Sequence, residues 1–290
     1  MRSLNDVNPA AVTVYYFSVI GLCMFTMDPV ITACALLSGI VNSLFGPGRK
    51  RRAPHALFAS VFVITFLINP VISHNGVTVL FFVNDNPVTA EALVYGSAVA
   101  AMILSVMYWF WSYSSVMTSD RVLYVTSRLS RKFSLVLSVS MRFFPLFLER
   151  TRRVKNAQKA SGSYSDGNIV KRIRGDLRVF SVMTGWALEN GIITAESMEA
   201  RGFGSGKRTY YSDFSFSKRD FWFTASALAL TACAALFIRS VTFAYYPELV
   251  FSFRNALPLP GYVSYFILCF YPPVAEMKEE IRWKCLRSGI

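Results

Sequence analysis

Charged residues are scarce in this chain of 290 residues, because Asp, Glu, Lys and Arg make up only 16% of it. Soluble globular proteins carry about 25%. Hydrophobic residues account for 53%, and they fall in long runs rather than in alternation with polar ones. An ordinary soluble enzyme is therefore excluded, and the composition indicates a polytopic membrane protein.

Histidine is scarcer still, with only His55 and His74 in the whole chain. Two histidines provide no metal cluster, no His-based catalytic triad and no HExxH helix. The five cysteines are not closely paired and four lie in apolar runs, which is typical of buried thiols rather than of disulfides or a zinc site. We therefore expect no metal, no cofactor and no catalytic residue.

Acidic residues are nearly absent from the apolar runs, since Asp28 and Glu91 stand at their edges. Ion-coupled carriers keep ionisable groups near the bilayer centre. This scarcity disfavours such a carrier.

Six apolar runs are candidates for membrane-spanning helices, which need roughly 17–25 residues. The predicted fold is thus all-α, with about six transmembrane helices and a helical insert between the fourth and the fifth. The candidate spans are Ala10–Met27, Val30–Phe45, Ala56–Ile68, Ala92–Tyr113, Phe221–Ile238 and Gly261–Val274.

The net charge of +13 has the distribution that the positive-inside rule requires. Residues 46–54 hold four basic side chains and no acid, and residues 114–220 hold 19 Lys and Arg against 9 Asp and Glu. Residues 70–88 hold no basic side chain. Six spans with both termini in the cytoplasm place every basic loop inside the cell.

Three regions follow from this pattern. Residues 1–113 form a membrane region of four helices, residues 114–220 a cytoplasmic helical region, and residues 221–290 two further membrane helices with a basic tail.

Two long helices are predicted in the insert, at Lys132–Ala160 and Ile169–Ala200. In the second, apolar and small residues recur at steps of three and four, which gives one helical stripe. Its members are Ile173, Leu177, Phe180, Thr184, Ala187, Gly191, Ala195 and Met198.

Both helices end in the same way, with a small residue, one further side chain and a glycine. The endings are Ala160-Ser161-Gly162 and Ala200-Arg201-Gly202. Glycine adopts the left-handed cap conformation without steric cost, so a helix can end bluntly there. Such an end can enter a groove on a partner and pair a basic side chain with carboxylates; an ordinary cap with a solvated Arg is the alternative.

The loop after the second ending, Gly202 to Thr209, lacks the glycine and the Ser/Thr spacing of a phosphate-binding loop. The basic insert also contains no recognised nucleic-acid module, so we expect no nucleic-acid partner. From its residues alone, the chain is interpreted as a membrane scaffold that docks a cytoplasmic partner.

At the level of motifs, the chain resembles the transmembrane T component of energy-coupling-factor transporters, the EcfT/CbiQ-like family of vitamin and transition-metal uptake systems. The resemblance rests on the paired spans around Asp28-Pro29, the stretch from Met141 to Glu149, the run Arg152 to Gly162 and the motif Met198-Glu-Ala-Arg-Gly202. It covers nearly the whole chain.

The resemblance implies two ATPase-docking motifs. Ala200, Arg201 and Gly202 match the second motif in full. Ala160 and Gly162 match the first, where Ser161 stands in the place of an Arg that is frequent in the family. Either Lys159 or Lys155 supplies the charge there, or that side docks mainly by shape.

The resemblance also implies partners and a location. The partners are two ATP-binding cassette ATPases, a small membrane S component that holds the substrate, and the lipid bilayer of a bacterial plasma membrane. The apolar front of the first insert helix, with Phe143, Phe144, Pro145 and Phe147, is a weaker candidate for contact with the S component; packing against the chain's own spans is the alternative.

Two other functions remain open at this stage. A stand-alone permease or carrier would need polar groups along a path through the membrane, and a membrane enzyme would need a catalytic constellation. The sequence offers few of the former and none of the latter.

Overall fold

A computed structural model gives the fold of the chain. The basic residues 49–52 lie outside the residues that it describes, as do residues 207–213. The described residues are 7–45, 54–72, 76–83, 86–162, 169–206, 214, 216–238, 241–245, 250–253 and 259–288.

Helices dominate the described residues, and two short β-hairpins accompany them. In chain order the elements are α1 (Pro9–Phe25), α2 (Pro29–Phe45), α3 (His55–Ile72), β1 (Val79–Val83), β2 (Asn86–Thr89), α4 (Ala90–Val116), α5 (Ser119–Leu129), α6 (Arg131–Ala160), α7 (Ile169–Ala200), α8 (Lys218–Ile238), β3 (Val241–Ala244), β4 (Val250–Phe253) and α9 (Leu259–Ser288). The all-α prediction is confirmed, whereas α5 and the hairpins were not predicted.

Among the described residues, three helices are long and apolar enough to cross a bilayer: α3, α4 and α8. The apolar helices α1 and α2 are shorter, at 17 residues each. The sixth candidate span forms the first half of α9. The count of six spans therefore remains a prediction.

Proline does not end α3, although the sequence predicts a stop at Asn69-Pro70. The helix continues to Ile72 because Pro70 lies in its last turn, where a missing N–H leaves only the Phe66 carbonyl without its helical donor. Gly96 of α4 packs against this point: a Cβ there would lie 3.4 Å from the Phe66 oxygen and 3.0 Å from the Asn69 Cβ. The absence of a side chain at Gly96 thus permits close packing of α3 and α4.

The chain divides into two compact units, which we describe separately. Unit 1 comprises Met1–Val122 and Phe214–Ile290, and unit 2 comprises Leu123–Asp213.

The core of unit 1 surrounds α1, whose Tyr15 and Tyr16 are almost fully buried. The Tyr15 hydroxyl donates to the Leu268 carbonyl of α9 at 2.5 Å, and the Tyr16 hydroxyl lies 2.8 Å from the Ser112 hydroxyl of α4. Their rings also pack edge-on against Trp109. One helix therefore joins the N-terminal spans to the C-terminal ones.

Helix ends in unit 1 pair in a way that agrees with the predicted topology. The Asn8 backbone N–H donates to Asp220 at 3.3 Å, which joins the starts of α1 and α8. At the other end of α1, the Tyr245 hydroxyl donates to the Met27 carbonyl at 2.8 Å and the Tyr262 hydroxyl to Asp28 at 2.5 Å. The start of α1 therefore shares a side of the unit with the start of α8, as four crossings, by α1 to α4, between these two points require.

Candidate functional site

Unit 2 is built around α6 and α7, which run antiparallel. The Lys155 amine lies 3.1 Å from an Asp176 carboxylate oxygen, and earlier in α6 the Phe147 ring lies 6.4 Å from the Trp186 ring. Because the contacts on α7 move towards its C-terminus as those on α6 move towards its N-terminus, the C-terminal tips lie at opposite ends of the pair. At a rise of ~1.5 Å per residue, they are on the order of 40 Å apart.

The first tip, at the end of α6, is an exposed glycine cap. The Ser161 N–H donates to the Ala157 carbonyl at 3.0 Å, and the Gly162 N–H to the Lys159 carbonyl at 3.1 Å. Gly162 has φ of 67°, and a Cβ added to it would contact nothing within 4 Å. The exposed amine of Lys159 lies in the last turn, where a cation favours the negative end of the helix dipole.

The second tip, at the end of α7, forms a complete Schellman motif. The Phe203 N–H donates to the Met198 carbonyl at 3.0 Å and the Gly202 N–H to the Glu199 carbonyl at 2.8 Å. Gly202 supplies the required left-handed conformation, with φ of 82°. Ala200, Arg201 and Gly202 are all exposed, so the tip presents a blunt, small surface with one cation.

Arg201 is an exposed cation without an ion-pair partner among the described residues. Its neighbours on the last turns of α7 are the acids Glu196 and Glu199, which do not form a salt bridge with it. The guanidinium is therefore available to a carboxylate on a partner.

Arg201 also lines a cavity of about 720 Å³ between α6 and α7, which the sequence did not indicate. On the α6 side, the residues that line this cavity include Arg142, Pro145 and Glu149. The Arg153 side chain contacts Glu149 one turn further along the same helix.

The four candidates for S-component contact have different surroundings in the structure. Phe143 and Pro145 line the cavity, and Phe147 packs against Trp186. Phe144 is 64% exposed and points away from that packing, with Met141 and Leu148 exposed on the same side of α6 at helical spacing. Phe144 is thus the one among the four that is most open to a partner.

Most of the predicted apolar stripe of α7 is exposed, and of its eight members only Met198 lines the cavity between α6 and α7. Ile173, Leu177 and Phe180 are exposed, whereas Gly175, Val179 and Met183 are buried. The helix thus carries a second face of small and apolar residues, which is the buried one. Spacing alone identified a stripe without telling which of two neighbouring faces is paired.

Trp186 is the residue at the helix crossing that sequence reasoning missed. Phe147 packs on it, and the Arg150 guanidinium lies 5.9 Å from its ring centroid. The signal available in the sequence was the Trp itself: α6 has an apolar half and a basic half, and Arg stacks preferentially on Trp.

The buried carboxylates in the described part of unit 1 accept hydrogen bonds at the starts of helices rather than line a path. Asp28 accepts from the Val30 N–H at the start of α2 at 2.8 Å, Glu91 accepts from Thr78 next to the start of α4, and Asp220 accepts from the Ser217 N–H at the start of α8 at 2.9 Å. Each lies at a helix end, as predicted for Asp28 and Glu91.

Comparison with known proteins was made on the whole chain. A family model described as "CbiQ: Cobalt transport protein" matches residues 2–211. The energy-coupling factor transporter transmembrane protein EcfT of Streptococcus thermophilus is 34% identical over 105 residues, which are 36% of this chain and 39% of that protein. EcfT of Streptococcus equi subsp. equi is 28% identical over 198 residues, 63% of this chain and 70% of that protein.

A third relative differs in its name. The putative ABC transporter ATP-binding protein BL0043 of Bifidobacterium longum is 25% identical over 227 residues, which are 72% of this chain but 29% of that protein. The chain spans well under half the length of the first relatives, 39% of the Streptococcus thermophilus protein and 39% of the Lactobacillus helveticus one.

Proposed function

This chain belongs to the CbiQ family of cobalt transport proteins, and we propose that it is the transmembrane coupling component of an energy-coupling-factor importer. Members of the family are non-catalytic transmembrane components of transporters, so the expectation that the chain is not an enzyme is confirmed. In the proposed role it transmits ATP-driven motion from two cytoplasmic ATPases to a membrane S component that carries a vitamin or a transition metal.

The arrangement of the two tips supports this proposal most strongly. Each tip is a blunt, exposed glycine cap, and the antiparallel pairing of α6 and α7 directs them to opposite ends of unit 2. Two separate ends suit two separate partners, one ATPase on each. Gly162 leaves open space for the approach of a groove, and Arg201 offers a guanidinium to a carboxylate in it.

The third relative supports an ATPase as the partner. A stretch similar to this chain occupies only 29% of BL0043, a protein named for ATP binding. In that protein, a segment similar to this chain is therefore part of a much longer polypeptide that is named for ATP binding. For the present chain, the ATPases are proposed to be separate polypeptides.

The S component is proposed to contact the outward face of α6 around Phe144. This residue lies 64% exposed between the exposed Met141 and Leu148, so that the three form an apolar strip along one side of the helix. Motion of the first tip is proposed to reach this strip along α6 itself.

A stand-alone permease is the second candidate, and the burial pattern gives it little support. Among the described residues of unit 1, the buried carboxylates Asp28, Glu91 and Asp220 are engaged in hydrogen bonds at the starts of helices. Both termini are proposed to lie in the cytoplasm, and the membrane to be a bacterial plasma membrane.

Co-purification tests the docking role of Arg201. Wild type is expected to retain the ATPases in detergent, and Arg201→Glu to lose those bound at the second tip. Truncating one partner of a buried charge pair already costs about 2–5 kcal/mol, and reversing its charge adds repulsion. Arg219→Glu is the matched control, since Arg219 is equally exposed and lies outside both tips. Loss of the ATPases from both variants, or from neither, would contradict the proposal.

A further inference from the structure

The first third of α7 has an exposed apolar face flanked by cations. Ile173, Leu177 and Phe180 recur at steps of four and three, and they are 55%, 63% and 66% exposed. Beside this face, four exposed basic residues occur within eight positions: Lys171, Arg172, Arg174 and Arg178.

Charge divides α7 into two parts that are otherwise alike in apolar exposure. Residues 179–200 contain no Lys or Arg and three acids, Glu189, Glu196 and Glu199. Leu188 in this part is 66% exposed, much as Leu177 is in the basic part. The exposed apolar surface therefore continues along the helix, whereas the positive charge is confined to its beginning.

The acid within the basic part does not oppose this charge. Asp176 lies 3.1 Å from the Lys155 amine of α6, which neutralises it. The neighbouring end of α6 adds Arg152 and Lys159, both exposed, whereas Arg153 pairs with Glu149. The surface around the start of α7 is consequently a concentrated positive patch.

We propose that residues 169–180 of α7 form an interfacial segment that binds the anionic headgroups of the bilayer, with Ile173, Leu177 and Phe180 inserted among the lipids. A helix with an apolar face and Lys and Arg along its flanks is suited to the boundary between headgroups and acyl chains. Each basic side chain near an anionic leaflet contributes about 1 kcal/mol to such binding. The same chain holds membrane-spanning helices, so this segment is already tethered at a bilayer.

The charge distribution favours lipid over a protein for this face. A protein partner recognised through apolar contact has no reason to avoid the acidic part of α7, where Leu188 is equally exposed. An anionic surface attracts the first part and repels the second. The proposal concerns a lipid contact and does not depend on ATPase docking.

Photo-crosslinking in lipid nanodiscs tests this inference on the full chain. A benzophenone amino acid replaces Leu177 in one protein and Leu188 in the matched control, and no other protein is added. The discs contain phosphatidylcholine alone or equal parts of phosphatidylcholine and phosphatidylglycerol, and mass spectrometry identifies the adduct.

We expect phospholipid adducts at position 177, several-fold more abundant in the anionic discs, and few at position 188. Changing Lys171, Arg172, Arg174 and Arg178 to Gln should lower the adduct yield at 177 in the anionic discs several-fold, towards the yield in phosphatidylcholine alone. High salt should lower it as well, because the Debye length falls to about 3 Å at 1 M.

Three results would overturn the proposal. Equal lipid adducts at positions 177 and 188 would remove the role of charge, and yields that do not respond to phosphatidylglycerol would remove the anionic headgroup. The third is an absence of lipid adducts at 177 in discs, followed by protein adducts at 177 when an S component is added, which would assign this face to a protein. Gel filtration checks that each variant is folded. All the substituted residues are exposed, so we expect the variants to fold.

Discussion

Glycine at the tip of α7 shows how a single residue sets the shape of the candidate docking site. Gly202 has φ of 82°, and its N–H and that of Phe203 satisfy the last carbonyls of the helix. An L-residue in this conformation costs roughly 1–2 kcal/mol. The end of α7 therefore depends on this position.

We predict that Gly202→Ala loosens the second tip by about 1–2 kcal/mol, without unfolding the rest of α7. Hydrogen exchange at the amides of Gly202 and Phe203 should rise accordingly. Gly206→Ala is the control, because Gly206 is exposed, lies outside the left-handed region and has open space around it. If both variants exchange alike, the cap does not stabilise the tip.

The sequence predicted these tip residues because glycine capping is a local property. The ending Ala-x-Gly after a long helical pattern is legible from a few consecutive residues. The cavity beside Arg201 was not predicted, because its walls come from Arg142 and Glu149, more than fifty positions earlier.

At the scale of elements, the crossing of α6 and α7 is held mainly by Trp186. The half-buried indole packs on Phe147, and the Arg150 guanidinium lies over it at 5.9 Å. The Lys155–Asp176 ion pair is half exposed and contributes less, up to about 1 kcal/mol.

Trp186→Ala is expected to destabilise the helix pair by about 2 kcal/mol, less than for a fully buried Trp because part of the ring is in solvent. Hydrogen exchange across the crossing in α6 and α7 reports this loss. Leu188→Ala, at a 66% exposed position two residues away, should stay within ~0.5 kcal/mol of wild type. A Trp186→Ala effect as small as that would assign the crossing to other contacts.

Sequence periodicity predicted the elements of unit 2 better than their pairing. The two long helices begin and end within one residue of the expected positions, because capping and apolar spacing are local signals. The face of α7 that packs on α6 was not predicted, since two neighbouring faces both carry small or apolar residues. The hairpins escaped prediction because each strand has only four or five residues.

At the scale of the whole molecule, contacts between distant parts of the chain close unit 1. Asp28 accepts from Tyr262, 234 positions later, and Asn8 donates to Asp220, 212 positions later. No local pattern predicts such pairs. Local patterns therefore predicted apolar helices, but not the residues that fasten the first of them to the last two.

Asp28→Ala should destabilise unit 1 by about 3 kcal/mol, because it removes the N-cap of α2 and the charged acceptor of the Tyr262 hydroxyl. Thermal unfolding in detergent measures the change. Asp120→Ala, at an exposed carboxylate in the first turn of α5, serves as control and should change stability by less than ~1 kcal/mol. Equal losses in the two variants would exclude a special role for the Asp28 contacts.

The central claim is that each helix tip docks one ATPase, and counting the ATPases on each chain tests it most directly. Ala160→Trp and Ala200→Trp place the same bulky side chain at the two exposed tips, and Ala187→Trp places it at an exposed position in the middle of α7. We expect native mass spectrometry to find two ATPases on wild type and on Ala187→Trp, one on each tip variant and none on the double variant. Two ATPases on the folded double variant would contradict the account.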